Sequence, residues 1–245
     1  MPLSDKDLET LEKDYFDQLY FYLISNEQRM MNGLNSKGSI RDDWISKYEE
    51  GAQQRKNSDI ARGAERIFYW LLTTIWVPNS SPIGSDLFFE TYNAFIHIDT
   101  KTANIDNESD YKGKVALSAN QTSYEADRTR TGIPTSVHAS LPQYYNLGKE
   151  NEKPCLTYII QIIHDIKSMD IISVLLICIP NGQLYNVYGN DIVGAGKGKG
   201  ISMRYEYKDI PYFKKLGDNH YRVRFLHHEE SIISKEKITS NPKIT

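Results

Sequence analysis

Two carboxylates and an ammonium group are spaced to converge within residues 82–102, PIGSDLFFETYNAFIHIDTKT. The stretch reads as strands Ser85–Glu90 and Ala94–Thr102 joined by a tight turn at Thr91–Asn93. Strand side chains repeat every two residues, so Phe95, His97, Asp99 and Lys101 face one way and Ile96, Ile98 and Thr100 the other. A hairpin turning near Asn93 then brings Asp86 beside Asp99. Paired hard oxygens suit a magnesium ion, which keeps several waters and takes one or two carboxylates plus a substrate phosphate; the Thr100 carbonyl offers one more oxygen. Such an ion lowers the pKa of a bound water and neutralises charge developing on a phosphodiester, with Lys101 placed to steady the nucleophile or the attacked phosphate. The alternative is a surface hairpin with both carboxylates solvated. The apolar run leading into Asp99 favours the site.

The elements that must position this hairpin are legible on either side of it. Ser4 caps a helix whose apolar positions Leu8, Leu11, Tyr15, Leu19, Tyr22 and Leu23 recur every three or four residues, and Asn32-Gly33 and Lys37-Gly38 are read as its end. A polar helical segment, 41–55, leads to a start signal at Asn57-Ser58-Asp59 and a helix over 58–76, SDIARGAERIFYWLLTTIW. Glu65 stands on that helix among Ile67, Phe68, Leu71 and Leu72, where a carboxylate needs a partner or a metal unless it pairs with Arg62 or Arg66 at the surface. CLTYIIQIIHDI and IISVLLICIP read as strands buried on both faces, a buried helix being the alternative for the first.

Downstream, Asn181-Gly182 is a turn signal, LYNVYG a short strand and GAGKGKG a loop whose glycines allow close approach to a ligand. Neither a phosphate-loop pattern nor a full GxGxxG fits around Gly194–Gly200. The functional reading is a glycine-lysine loop that enters a DNA groove; a surface hairpin is the alternative. Arg128 and Arg130 are placed to meet a nucleic-acid backbone or to sit in a solvated loop. His164 reads as a strand-end structural residue, and His227 and His228 as surface residues.

Ser85-Asp86 followed by Asp99-Thr100-Lys101 resembles the PD-(D/E)xK nuclease motif, with Ser85 where that family more often has Pro. The order IDTKT, KVALSANQTSY, two apolar runs, then GNDIVGAGKGKGI with YKDIPYF behind it, is similar over residues 58–213 to the EcoRV branch of restriction endonucleases. The resemblance implies an α/β fold with a restriction-endonuclease-like core, its mixed central β-sheet flanked by helices. It makes Asp86, Asp99 and Thr100 metal ligands, Lys101 the catalytic lysine and Glu65 an additional acidic group at the metal. Gly194, Ala195, Gly196, Lys197, Gly198 and Lys199 would read the major groove, and Asn79, Ser80 and Ser81 would approach the minor groove. The implied activity is Mg2+-dependent type II cleavage of double-stranded DNA, leaving 5′-phosphates and blunt ends at a palindrome. A homodimer is implied, and a cognate DNA methyltransferase is expected genetically. A repair or recombination nuclease of the same fold, or a DNA-binding module without turnover, are the alternatives. Gln121 and Tyr124 resemble the Gln-and-Tyr pair of another nuclease branch at a spacing unusual for it, and carry little weight.

Length and charge agree with these expectations without supplying them. The 245 residues are expected to form one domain, with a helical part at 1–57, a catalytic core at 58–180 and a DNA-recognition part at 181–245. Net charge is −3, but residues 1–100 carry 10 basic and 16 acidic groups and the remainder 19 and 16, which leaves the positive surplus downstream of the motif. No apolar run reaches the roughly 18 residues of a membrane span, and the beginning of the chain lacks a signal pattern, so a cytoplasmic protein is expected. Cys155 and Cys178 lie in apolar runs with no CxxC or Cys/His cluster, which points to reduced, buried thiols.

Overall fold

The computed structural model describes residues 2–39, 56–79, 84–130, 133–196 and 202–244. Its centre is a mixed sheet in the order β1 (Leu87–Glu90), β2 (Phe95–Asn104), β7 (Lys153–His164), β8 (Ile171–Ile179) and β11 (Val223–His228). β2 and β7 run parallel, and the other neighbours antiparallel. β8 is buried along its whole length and β7 along nearly all of it, as continuous β-branched runs require when both faces of a strand are covered. Cys155 and Cys178 are free and buried there.

Helix α1 (Asp5–Ser25) begins at the Ser4 cap, whose hydroxyl oxygen accepts from the Asp7 N–H, and it lies against β8 and β11. The chain breaks at Asn26 rather than at Asn32-Gly33, and a separate helix α2 covers Glu27–Ser39. Gly33 does not cap α2: a Cβ there would sit 3.0 Å from Ile67 Cδ1, so this glycine lets α2 approach α3 (Lys56–Leu72). α3 ends at Leu72, four residues earlier than expected, and packs on β2. The polar segment 41–55 lies outside the described residues. Among the described residues no helix is long and apolar enough to cross a membrane.

A second, three-stranded sheet has the order β3 (Lys114–Ser118), β10 (Ser202–Glu206), β9 (Val193–Ala195). A separate hairpin is formed by β4 (Ala126–Arg130) and β5 (Ile133–Val137), and the two-residue strand β6 (Tyr144–Tyr145) pairs with β7. The LYNVYG segment is not a strand. Asn181 Oδ1 accepts from the Gln183 N–H and caps a short 3-10 turn, Tyr185–Tyr188 continues as a helical turn, and Gly189 at φ 57 stops it. The Asn-Gly turn signal therefore leads into a capped 3-10 turn and not into the expected short strand.

Candidate active site

The β1–β2 hairpin forms in the expected register, with Leu87 opposite Ile98 and Glu90 opposite Phe95. Thr91 closes the turn by bonding Ala94 through both its backbone and its side chain. One face of β2 sends Ile96 and Ile98 into the main core. The other carries Phe95, His97, Asp99 and Lys101, so its apolar half becomes acidic and then basic towards the sheet edge.

Beneath the carboxylates the hairpin is braced by a buried polar chain. The Ser85 hydroxyl lies 2.9 Å from His97 Nδ1 and 3.1 Å from the Leu87 carbonyl, while His97 Nε2 lies 2.9 Å from the Tyr145 hydroxyl. All three contacts are satisfied if Nδ1–H donates to Ser85, Ser85 donates to Leu87 and Tyr145 donates to Nε2. That arrangement requires neutral imidazole, and burial lowers the His97 pKa to about 4. Ser85, where proline is commoner in the motif, thus holds the lead-in to Asp86 by hydrogen bonds.

Asp86 precedes β1, and its Oδ2 accepts from both the Thr100 N–H and the Thr100 hydroxyl at 2.7 Å each. A strand residue's N–H and C=O point to the same side, so the Thr100 carbonyl also faces the Asp86 edge. Asp99 is 2% exposed. Its Oδ2 faces Lys101 Nζ as an ion pair, and its Oδ1 accepts from Gln121 Nε2 at 2.8 Å. Burial raises the Asp99 pKa to about 6; Asp86 adds to the rise, while Lys101 and Gln121 oppose it. Glu65 on α3 is half-buried, and its pKa is raised by burial first and by Asp86 second, with Arg62, Arg66 and Lys101 opposing. Glu65 therefore shares the field of Asp86 and Lys101 as well as that of its neighbouring arginines.

The donor chemistry fits a divalent cation that keeps most of its waters: two carboxylates, Asp86 adding to the raised proton affinity of Asp99, with a carbonyl on the same edge. Among the described residues no three His, Cys, Asp or Glu side chains converge as a preformed metal cage. An ion held through two carboxylates, water and a substrate phosphate does not need one.

The remaining expected residues divide. Gly194 and Ala195 belong to β9, and Gly194 is buried where a Cβ would meet Glu206 Oε1 at 1.9 Å. At Gly196 it would meet the Ser202 carbonyl oxygen at 2.2 Å. Close packing of β9 on β10 therefore demands the glycine at 196, where the neighbour is backbone, whereas at 194 the Glu206 side chain could move aside. Lys197, Gly198 and Lys199 lie outside the described residues, as do Ser80 and Ser81. The Asn79 N–H donates to the Phe88 carbonyl, which places that residue beside β1. Arg128 and Arg130 lie on β4, opposite Thr135 and Ile133. His164 ends β7 and is 1% exposed, as expected. His227 and His228 are not surface residues: they close β11, with side chains 16% and 4% exposed, beside Glu27 and Ser173 respectively.

Gln121 is the residue that spacing undervalued. It and Tyr124 prove to be unrelated in role, since Tyr124 donates to the Gly189 carbonyl while Gln121 reaches Asp99. The Ser118-x-x-Gln121 pattern of a capping box was the available signal, and it forms.

A mixed sheet that presents an acidic pair and a lysine on one edge hairpin, with helices against it, is the framework of a restriction-endonuclease-like nuclease. The family is shown by sequence: residues 5–168 match the type II restriction enzyme MwoI N-terminal domain and residues 171–227 match its central domain, and the chain belongs to this family of type II restriction endonucleases. The boundary between the two matches falls in the β7–β8 turn, inside one continuous sheet. Two solved structures share the fold. The restriction endonuclease BglI bound to its DNA recognition sequence has a TM-score of 0.64 at 16% identity, over 90% of this chain and 93% of that one. Tetrameric restriction endonuclease SfiI bound to cognate DNA has a TM-score of 0.67 at 16% identity, over 93% of this chain and 86% of that one. No curated protein sequence matches the chain. The likeness to the EcoRV branch is not among these matches.

Proposed function

We propose that the chain hydrolyses phosphodiesters of double-stranded DNA at the edge of the β1–β2 hairpin, with Mg2+ as its cofactor. Asp86, Asp99 and the Thr100 carbonyl would hold the ion, and Glu65 would hold one of its waters or a ligand. When bound, the ion supplies a water of lowered pKa and offsets charge on the attacked phosphate. Lys101 faces the same edge and orients the nucleophile or the phosphate; Thr100 fixes the Asp86 carboxylate, and the Ser85–His97–Tyr145 chain keeps the hairpin from shifting beneath it. Water attacks phosphorus and the 3′ oxygen leaves, so the product carries a 5′-phosphate.

The segment 197–199, which carries Lys197 and Lys199 between β9 and β10 in the sequence, is the proposed recognition element, assisted by the segment following Asn79 and by Arg128 and Arg130. One site cuts one strand, so two copies about a twofold axis are the simplest route to a double-strand break at a palindrome. A methyltransferase that protects the same sequence is the expected genetic companion. The EcoRV likeness alone carried the blunt-end expectation, so the spacing of the two cuts is left to direct measurement.

The observation that carries the proposal is the Asp99–Lys101 ion pair beside an Asp86 carboxylate tethered to Thr100. Plasmid DNA incubated with the protein and Mg2+ is expected to yield discrete fragments with 5′-phosphate ends, none of them in EDTA or with Asp99→Ala. Terminal sequencing gives the site and the stagger, and solution mass with DNA separates a dimer from a tetramer. Specific binding without cleavage at any Mg2+ concentration would make the chain a DNA-binding module instead.

A further inference from the structure

Gln121 makes two bonds that join different parts of the molecule. Its Nε2 donates to Asp99 Oδ1 at 2.8 Å, and its Oε1 accepts from the Ser118 N–H at 2.8 Å. Both ends of the amide are therefore used, which fixes its orientation as well as its position. Ser118 is the last residue of β3 and lies opposite Ser202, the first residue of β10, in the sheet whose β9 and β10 flank the glycine-lysine segment in sequence. The same turn touches the other carboxylate strand. At Gly84, φ +75, a Cβ would lie 1.6 Å from the Asn120 carbonyl oxygen, so the lead-in to Asp86 is pressed directly on the turn.

We propose that Gln121 is a positioning residue through which the recognition sheet sets the Asp99 carboxylate. The inference rests on the reading of Asp99 as a metal-binding group. The buried carboxylate has one oxygen on Lys101, whose ammonium is free to turn, and the other on the Gln121 amide, which is itself fixed at both ends. Any displacement of the β3–β10 register at Ser118–Ser202 is carried to Asp99 through one side chain and two hydrogen bonds. A DNA sequence that seats β9 and β10 correctly would align Asp99, and a sequence that seats them poorly would leave the carboxylate misdirected. Discrimination would then appear in the cleavage step as well as in binding.

Gln121→Met keeps the side chain's length and removes both hydrogen bonds; Gln121→Asn keeps an uncharged amide but is one methylene too short to span the Ser118 N–H and Asp99 Oδ1 together. Single-turnover cleavage at saturating DNA is expected to fall roughly 10- to 100-fold in both variants, the range typical of groups that orient metal ligands. The loss should be larger at the mapped target than at a target altered by one base pair, so that discrimination narrows. Mn2+ affinity, read from the free-ion EPR signal, should weaken about tenfold. DNA affinity in EDTA should stay within about twofold of wild type, which a general folding defect would not allow. The proposal is overturned by wild-type rates and Mn2+ affinity, by equal losses at the two targets, or by a loss explained wholly by DNA binding in EDTA. Asp99→Asn run alongside separates the two levels: if it cleaves normally the site reading itself fails, and if it is inactive while the Gln121 variants are normal only the link is lost.

Discussion

Among the described residues carboxylates are buried beside a cation at two places, and their surroundings differ in a way that separates a brace from the proposed reaction centre. In the core, Arg222 donates to Glu12 at 2.6 Å, Glu9 at 3.3 Å, the Tyr188 hydroxyl at 2.9 Å and Cys178 Sγ at 3.2 Å. The two carboxylates are completed by the Asn181 and Lys215 N–H groups and the Tyr188 hydroxyl. Burial opposes the Arg222 charge, but Glu12 and the groups around it overcome this and raise its pKa; burial raises Glu12. The cluster ties α1 to β8, β11 and the Tyr185–Tyr188 turn. At the hairpin edge Asp99 is as well hidden from water, yet its Oδ2 is met by the Lys101 ammonium and by no neutral donor among the described residues. Lys101 is a quarter exposed, and Asp86 adds a second negative charge nearby. A saturated ion cluster has nothing left to bind. An under-compensated pair at an open edge is destabilised until a cation or a proton arrives.

The largest effects test the open site directly. Asp86→Ala, Asp99→Ala and Lys101→Ala are each expected to lower cleavage by about three orders of magnitude, since the two carboxylates would hold the ion and Lys101 would face the developing charge. Circular dichroism should show the fold retained. The mirror experiment is Arg222→Met, which leaves Glu9 and Glu12 buried without their cation. It should destabilise the protein by about 3–5 kcal/mol in urea titration. Cleavage by the fraction that remains folded should be near wild type. If Arg222→Met abolished turnover while stability held, the division between brace and reaction centre would be wrong.

A smaller effect has the opposite sign. The Asp99 pKa is about 6 in the fold and near 3.8 unfolded, so the folded chain binds protons more readily and its stability falls as pH rises through 6. Asp99→Asn removes that penalty. In the metal-free protein at pH 7 it should raise stability by about 1–3 kcal/mol, and the gain should vanish below pH ~4, where aspartate is protonated in both states. Thermal unfolding in EDTA at the two pH values measures this. A loss of stability at pH 7 would show that the Lys101 ion pair outweighs the burial of the charge. Glu65→Gln gives the smallest change, about a tenfold loss of rate that shrinks as Mg2+ is raised. A rate equal to wild type at every Mg2+ concentration would return Glu65 to the company of Arg62 and Arg66.

The hairpin was legible because its determinants are local. Alternation fixes which side chains share a face, and the register follows from a turn at Asn93, so the neighbourhood of Asp86 and Asp99 depends on only a few consecutive residues. The two strongly apolar runs likewise point to buried central strands, while the mixed sheet was implied by the family resemblance. Ranges set by competing signals read less well. Asn26, not Asn32-Gly33, ends α1 because local capping prevailed there, and Gly33 answers to Ile67 on another helix.

What only the tertiary structure decided are the contacts between segments far apart in sequence. His97 and Tyr145 are 48 residues apart and Gln121 and Asp99 are 22, so no periodicity within one element announces either bond. LYNVYG has a strand's composition, yet Tyr188 turns helical where its hydroxyl can reach Glu9, 179 residues away. The types of group needed for phosphodiester chemistry were set in the chain by the sequence itself. Which of them are desolvated and which left open to a cation emerges only when β2, α3 and the β3 turn close around one edge, because desolvation depends on distant atoms that local sequence does not specify.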